Sequence, residues 1–235
     1  MILNARSAYL LFLGLAVLWV SGDIWAHNVS KEDIALISGR SGPQFSLYLW
    51  LGAKHMVTGY DHLLFLVGVI FYLKRLSTVA IFASLFALGH TITLIGGVLL
   101  GLDVNPYLVD AIIGLSVAYK GFDNLEGFNT LFGESPNERM AVLIFGLFHG
   151  LGLATKLQDL GLAEDGLFVN LISFNLGVEL GQLAALIVFV LFLRFVPPRT
   201  AGSKVGTSVN VGLVVAGFTL MAYQLAQYLN NQEMY

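Results

Sequence analysis

Six ionisable side chains of this 235-residue chain lie within or beside long apolar runs. They comprise four histidines and two acids, namely His55, Asp61, His62, His90, His149 and Glu179. Ionisable groups are costly at the depth of a bilayer core, where they usually face a cavity or a partner. Imidazole and carboxylate groups are also common ligands of divalent transition metals. The six residues therefore predict a functional site within a membrane.

Three more polar residues in these runs are candidates for lining the same cavity or orienting its ligands. Asn175 and Gln182 flank Glu179 at spacings of four and three, which puts the three residues on one side of a helix. The competing interpretation is that the two amides only hydrogen-bond neighbouring helices. Asp110 lies near the end of another apolar run, where a position at the membrane interface would also tolerate its charge.

The composition places the chain in a membrane. Charged residues make up only 11% of it and hydrophobic residues 57%, whereas a soluble domain has about 25% charged residues. The chain has no cysteine, which excludes thiolate metal sites and cysteine nucleophiles. The remaining ligand types suit nickel, cobalt or zinc without choosing among them. The small net charge of -3 gives no indication of a nucleic-acid partner.

Six apolar runs predict an all-α membrane protein, a compact bundle of about six transmembrane helices over residues 45–235. The runs are 45–73, 78–100, 106–125, 140–157, 166–196 and 206–229. The first is longer than the roughly 20 residues that cross a bilayer, so its length indicates either a break or an interfacial first half near Gly52 or Gly59. Two of the runs share the pattern F-x-L-x-H, at 86–90 and 145–149, which is either an internal repeat or a chance match.

Residues 1–26 have the pattern of a secretory signal, with Arg6, an apolar segment over 8–20, and Ala26 at the expected cleavage point. An uncleaved anchor is the alternative. Residues 27–44 would then form a short extracytoplasmic segment. If the signal is cleaved, His27 begins the mature chain and could chelate a metal, although an ordinary first residue is the simpler interpretation. The distribution of Lys and Arg predicts a multi-pass protein of the bacterial inner membrane with extracytoplasmic mature termini.

Helix geometry predicts two separate positions for the first two histidines. His55 and His62 are seven residues apart, which is about 10 Å along an unbroken helix, whereas a metal–imidazole bond is near 2 Å. We therefore expect His55 to be an entrance ligand, unless the helix breaks at Gly59. His62 and Asp61 would lie in a central site, with Asp61 as a ligand or as a group that orients an imidazole. By depth, His149 and Glu179 are expected in the same central site, whereas His90 is expected nearer the outside, with His55 at the entrance.

The motifs around these residues resemble those of a known family. His55, Gly59, Asp61, His62 and the leucines that follow resemble the first-helix signature H-P-x-x-G-x-D-H-L-L of the HupE/UreJ permeases. Segments 88–94, 145–152 and 174–182 are similar to later signatures of the family, particularly in its second subgroup. One departure is Met56, where the first subgroup has proline. The resemblance implies secondary transport of nickel, or of cobalt in some members, with the six residues as metal-path candidates.

The sequence thus predicts a transporter of a divalent metal, most of all nickel, and not an enzyme. No permanently bound cofactor is expected, and the partners are the bilayer, the metal ion and, by resemblance, nickel-enzyme maturation proteins. A homo-oligomer is compatible with the sequence. No P-loop motif is present, so the driving force would be a gradient or a partner. The alternatives are an intramembrane zinc-dependent hydrolase, which lacks H-E-x-x-H here, a bis-histidine haem protein and a metal-binding accessory membrane protein.

Overall fold

A computed structural model describes residues 31–37, 40–73, 75–159, 165–193 and 202–232. Within these ranges the chain forms nine α-helices and no strand, so the all-α prediction is confirmed. The helices are α1 Lys31–Ile37, α2 Phe45–Thr58, α3 Tyr60–Ile70, α4 Leu76–Leu99, α5 Pro106–Asn124, α6 Gly127–Phe132, α7 Glu138–Asp159, α8 Leu167–Leu193 and α9 Lys204–Gln232. The predicted signal at 1–26 and His27 lie outside the described residues.

Four of the described helices, α4, α7, α8 and α9, are long and apolar enough to cross a membrane. The shorter α3 is also apolar. The helix α5 has 19 residues and carries the charged side chains of Asp110, Lys120 and Asp123. The structure therefore supports a multi-pass membrane protein, and the count of six spans stays a prediction.

The first predicted span breaks at Gly59, which is one of the alternatives that its length indicated. The helix α2 ends at Thr58 and α3 begins at Tyr60, while Gly59 between them has extended backbone angles (φ −73°, ψ 105°). A Cβ atom at this position would collide with the His62 ring and crowd the carbonyl oxygen of His55. Glycine therefore allows the last turn of α2 and the first turn of α3 to approach one another.

The long helices pack as three pairs, each held close by glycine. In the α2–α8 pair, Gly52 lies against the backbone of Phe174, and Gly177 lies against the backbone of Leu49. Gly181 lies against the backbone of Ala53, which is four residues further along both helices than the contact of Gly177 with Leu49, so the pair is parallel. The α4–α7 pair is also parallel, because Gly146 faces Phe86 and Gly150 faces His90, with Gly97 against Ala154 further along.

The third pair, α5–α9, is antiparallel, because Gly114 lies against Met221 whereas Gly121 lies against Asn210. The end of the bundle where α2, α5 and α8 begin is named the upper end. There the Gln44 N–H donates to Asn170 Oδ1 (2.7 Å). The opposite end, where α4, α7 and α9 begin, is the lower end. There Lys120 bonds to Glu138. The bundle thus has two distinct ends with the histidines between them.

Candidate metal site

Four histidines from four different helices meet in the interior and form what we term the histidine cluster. The ring of His62 on α3 is central, with its centroid 5.1 Å from His55 on α2, 4.9 Å from His149 on α7 and 6.4 Å from His90 on α4. The side chains of His62, His90 and His149 are fully buried, and His55 is half-buried. The structure therefore brings together the four histidines that the sequence singled out.

The predicted separation of His55 from His62 is wrong. It assumed an unbroken helix, along which the two residues would lie about 10 Å apart. Because the helix breaks at Gly59, the first turn of α3 lies beside the last turn of α2. The ring centroids of His55 and His62 are therefore 5.1 Å apart. The His55 ring also contacts Phe174 of α8, at a centroid distance of 5.9 Å. His55 thus belongs to the same cluster as His62.

Hydrogen bonds orient three of the four rings. His149 Nδ1 lies 2.7 Å from the carbonyl oxygen of Phe145, and His62 Nδ1 lies 3.1 Å from Asp61 Oδ1. His90 Nδ1 lies 3.3 Å from Asn175 Oδ1. Each partner is an oxygen acceptor, so in a neutral ring Nδ1 carries the hydrogen and Nε2 carries the lone pair. This is how proteins commonly orient imidazoles toward a metal.

The orientation of the Asn175 amide is fixed independently, because its nitrogen donates to Thr91 Oγ1. Its oxygen is thereby directed at His90. The Nε2 atom of His90 is buried and makes no hydrogen bond within the described part of the chain. A buried nitrogen lone pair with no donor is costly, and a cation would satisfy it. Asn175 therefore holds the ring of a candidate ligand, and its role toward a metal stays a prediction.

The cluster is not a ready-made ligand set. Among the described residues, no group of three or more His, Asp or Glu side chains is arranged to hold one metal ion. The ring centroids are close enough to be neighbours, but a shared ion needs each Nε2 at about 2 Å. Binding of one ion by three rings therefore requires rotation of the side chains. Asp61 is hydrogen-bonded to His62 and is thus placed to orient that imidazole.

Glu179 does not join the cluster, and its predicted place in the central site is wrong. Its side chain is exposed on the outside of α8. Gln182 is buried, but its Nε2 atom contacts the carbonyl oxygen of Ala83 at 3.5 Å. Gln182 thus links α8 to α4, which is the competing interpretation given above for the two amides.

Asp110 forms a buried ion pair that sequence reasoning missed. Its Oδ2 atom lies 2.8 Å from Lys156 Nζ on α7, and the two side chains are 5% and 16% exposed. The sequence spacing gave no signal for this pair, because 46 residues separate its members. Asp110 therefore lies against a basic side chain on the upper side of the bundle.

A cavity of about 250 Å³ leads from the upper half of the bundle to His55. Its wall includes Asp33 of α1, whose carboxylate holds Lys54 of α2 at 2.8 Å. The ammonium group of Lys54 also lies 5.0 Å from the ring of Trp50. Most of the remaining wall is apolar, including Leu153 and Leu157 of α7, so the polar groups of the cavity are concentrated on the side of α1 and α2.

Below the cluster, three phenylalanines form what we term the phenylalanine layer: Phe65, Phe86 and Phe145. Phe65 lies 5.6 Å from Phe86 and 5.7 Å from Phe145, and the first two are each 1% exposed. This layer was not predicted from the sequence. The F-x-L-x-H pattern nevertheless contained a signal for it, because each match places a phenylalanine one helical turn below a histidine. An apolar layer of this kind closes the lower side of the cluster.

The fold and site define the class of the protein: a multi-pass α-helical membrane protein with a buried histidine cluster. A family model described as HupE / UreJ protein matches residues 31–232, and the chain therefore belongs to the HupE/UreJ family, a metal transporter family and not an enzyme family. Comparisons with curated proteins and with solved structures gave no match. The family resemblance is confirmed, and the hydrolase alternative loses its basis.

Replacing Asn175 with leucine should weaken metal binding by about 10–100-fold, the usual cost of losing a group that orients a metal-bound imidazole. The change removes the acceptor for His90 Nδ1 and leaves the four rings in place. The measurement is the affinity of the purified protein for nickel by equilibrium dialysis. Gln182→Leu is the matched control, since it removes a buried amide of the same helix that contacts only backbone. An equal loss in both variants would show a general packing effect.

Proposed function

We propose that the protein carries a divalent transition-metal ion, with nickel as the first candidate, across the bacterial inner membrane by secondary transport. The observation that carries the proposal is the convergence of four histidines from four helices in the bundle interior. The family is associated with nickel and cobalt transport, and neutral imidazoles suit both ions. Nickel-enzyme maturation proteins are the proposed recipients of the ion.

The path we propose begins in the upper cavity. An ion would enter beside the Asp33–Lys54 pair and reach His55, which lines the cavity. It would then pass to Nε2 atoms of His62, His90 and His149, whose Nδ1 atoms are held by oxygen acceptors. The phenylalanine layer blocks further movement. Release on the lower side therefore requires the layer to part, which is the alternation expected of a secondary transporter.

We further propose six spans with the upper end outside the cytoplasm. The helices α2 and α3 together would make one span and α5 another. At the lower end the described basic residues are Arg75, Lys120, Arg139 and Lys204, and excess positive charge favours the cytoplasmic side. At the upper end, Lys54 and Lys156 are each neutralised by an aspartate, whereas Arg40 is exposed.

The orientation can be tested by thiol labelling, because the chain has no cysteine of its own. A membrane-impermeant maleimide should label Asp103→Cys, in the loop after α4, in intact spheroplasts. It should label Ser135→Cys, in the loop before α7, only after permeabilisation. Both residues are exposed, so access to the reagent should differ only by membrane side. The reverse pattern would place the upper end in the cytoplasm.

Uptake in cells tests the transport proposal. Cells with and without the gene would be compared for accumulation of nickel, cobalt, zinc and copper, each at low micromolar concentration. We expect several-fold more nickel, or cobalt, in cells that make the protein, and no difference for the copper control. Equal accumulation of every metal in both strains would refute transport in the uptake direction.

The phenylalanine layer favours a second candidate function, that of an accessory protein that binds a metal without passing it on. A histidine cluster that is closed on its lower side fits a protein that only binds an ion as well as it fits a transporter. Proteoliposomes separate the two functions. A transporter would move nickel into the lumen, whereas an accessory protein would bind nickel at its surface and leave the lumen empty.

A further inference from the structure

A buried ion pair joins α5 to α7 in the upper half of the bundle, and the proposed path does not use it. Asp110 Oδ2 lies 2.8 Å from Lys156 Nζ, and both side chains are largely buried. Replacing a buried ion pair with apolar side chains of similar volume is often neutral or stabilising, so such a pair is weak evidence for a role in stability. Ionisable groups inside a membrane are usually functional. The pair therefore calls for a functional explanation.

The pair lies on the upper side of the histidine cluster and close to it. Asp110 Oδ1 is 3.5 Å from the point that a Cβ atom of Gly152 would occupy. Gly152 is three residues along α7 from His149, which is about 4.5 Å of helix rise. The aspartate of the pair interacts electrostatically with His62, and the lysine does so with His55. The charges of the pair therefore act on any cation that the rings hold.

The lysine of the pair puts a positive charge beside a site for a cation, which opposes binding. Asp61 and Asp110 bring two negative charges to the surroundings of the rings, and Lys156 cancels one of them. A transported ion has to be held firmly enough to enter a site and weakly enough to leave it. A fixed positive charge at this place therefore favours release of the ion over its capture.

We propose that Lys156 sets the affinity of the histidine cluster for its ion, because by neutralising Asp110 it keeps binding weak enough for release. The inference rests on the proposed function, since it concerns the ion that the cluster would carry. At the effective dielectric constant of a protein, one unit charge near a divalent ion changes the affinity for that ion by at least about tenfold. Lys156 thus acts on the ion through its charge and is not a ligand.

The nickel affinities of the wild type and three full-length variants test the proposal. Each protein is purified in detergent, and binding of nickel alone is measured by equilibrium dialysis at about pH 8, where carboxyl groups are ordinarily ionised. Lys156→Met removes the positive charge and should bind nickel at least about tenfold more tightly than the wild type. Asp110→Asn removes a negative charge and should bind at least about tenfold more weakly. The double variant keeps the net charge and should bind within about threefold of the wild type.

Lys120→Met is the matched control, because Lys120 also forms a buried ion pair, with Asp123 at 2.7 Å, but at the lower end of the bundle. Its nickel affinity should equal that of the wild type. A pair with a purely structural role gives a different pattern, in which both single variants bind more weakly and the double variant recovers. That pattern, an unchanged affinity of Lys156→Met, or an equal gain in Lys120→Met would overturn the proposal.

Removing one member of a buried pair is often strongly destabilising, so the test does not depend on Lys156→Met alone. Asp110→Asn and the double variant differ only in the charge at position 156. The double variant should therefore bind nickel at least about tenfold more tightly than Asp110→Asn, and equal binding by these two would also overturn the proposal. Nickel binding by none of the proteins would refute the proposed function together with this inference. Binding by the wild type with no effect of the charge at position 156 would refute the inference alone.

Discussion

Cells that make the His62→Ala variant should accumulate no more nickel than cells without the protein. His62 is the central ring of the histidine cluster, within 6.4 Å of each of the other three ring centroids. Losing only a group that orients a metal-bound imidazole costs about 10–100-fold, and losing the central imidazole itself should cost more. The measurement is nickel uptake per amount of protein in the membrane fraction.

The matched control is Leu64→Ala, two residues along α3. Leu64 is a partly buried apolar side chain that packs against the core and contributes no ligand. Its truncation tests whether uptake is lost merely because α3 is weakened, and we expect uptake to remain. If His62→Ala reached the membrane in normal amounts and transported normally, the histidine cluster would not be the metal path.

Replacing Gly52 with alanine should abolish the folded protein, although the change adds a single methyl group. A Cβ atom there would collide with the backbone carbonyl of Phe174, and backbone cannot move aside as a flexible side chain can. Overpacking in a core typically costs about 1–3 kcal/mol, and a clash between two helix backbones should exceed that range. Gly177→Ala should act alike, because its Cβ would meet the carbonyl of Leu49. Size-exclusion profiles and thermal unfolding in detergent provide the measurement.

Gly96 offers the control for this prediction, since nothing lies within 4 Å of the position its Cβ would occupy on α4. Gly96→Ala should leave the profile unchanged or stabilise the protein by about 0.5–1 kcal/mol, because glycine is unfavourable inside a helix. A folded Gly52→Ala protein with an unchanged melting temperature would show that α2 and α8 are not in close contact.

The sequence predicted the helical fold and the residues of the cluster, because buried histidines in apolar runs stand out by residue type alone. It placed His55 wrongly for a local reason. Glycine is only about 0.5–1 kcal/mol less favourable than alanine inside a helix, so Gly59 permits both a continuous and a broken helix. The break was foreseen as an option, but its consequence, two neighbouring rings at 5.1 Å, depends on how α2 and α3 then pack.

Glu179 shows a second limit of sequence reasoning. Four residues advance a helix by about 400°, so Glu179 lies only about 40° around α8 from Asn175. Asn175 is buried against His90, whereas Glu179 is exposed. The boundary between the inner and outer faces falls inside this small angle. A pattern of polar residues predicts which side of a helix is polar. Whether a residue at the edge of that side is buried or exposed depends on how α8 is rotated about its axis, and packing against α2 and α4 sets that rotation.

The parallel pairing of α2 with α8 has a consequence for biogenesis. The two helices are joined at their upper ends by Gln44 and Asn170, which are 126 residues apart in the chain. At a synthesis rate of about 5–20 residues per second, α2 waits roughly 6–25 seconds for its partner to leave the ribosome. During that interval the side of α2 that carries Gly52 cannot pack against α8, because α8 has not yet been synthesised. Assembly of the cluster is therefore a late event, and an incomplete nascent chain would be unable to handle metal.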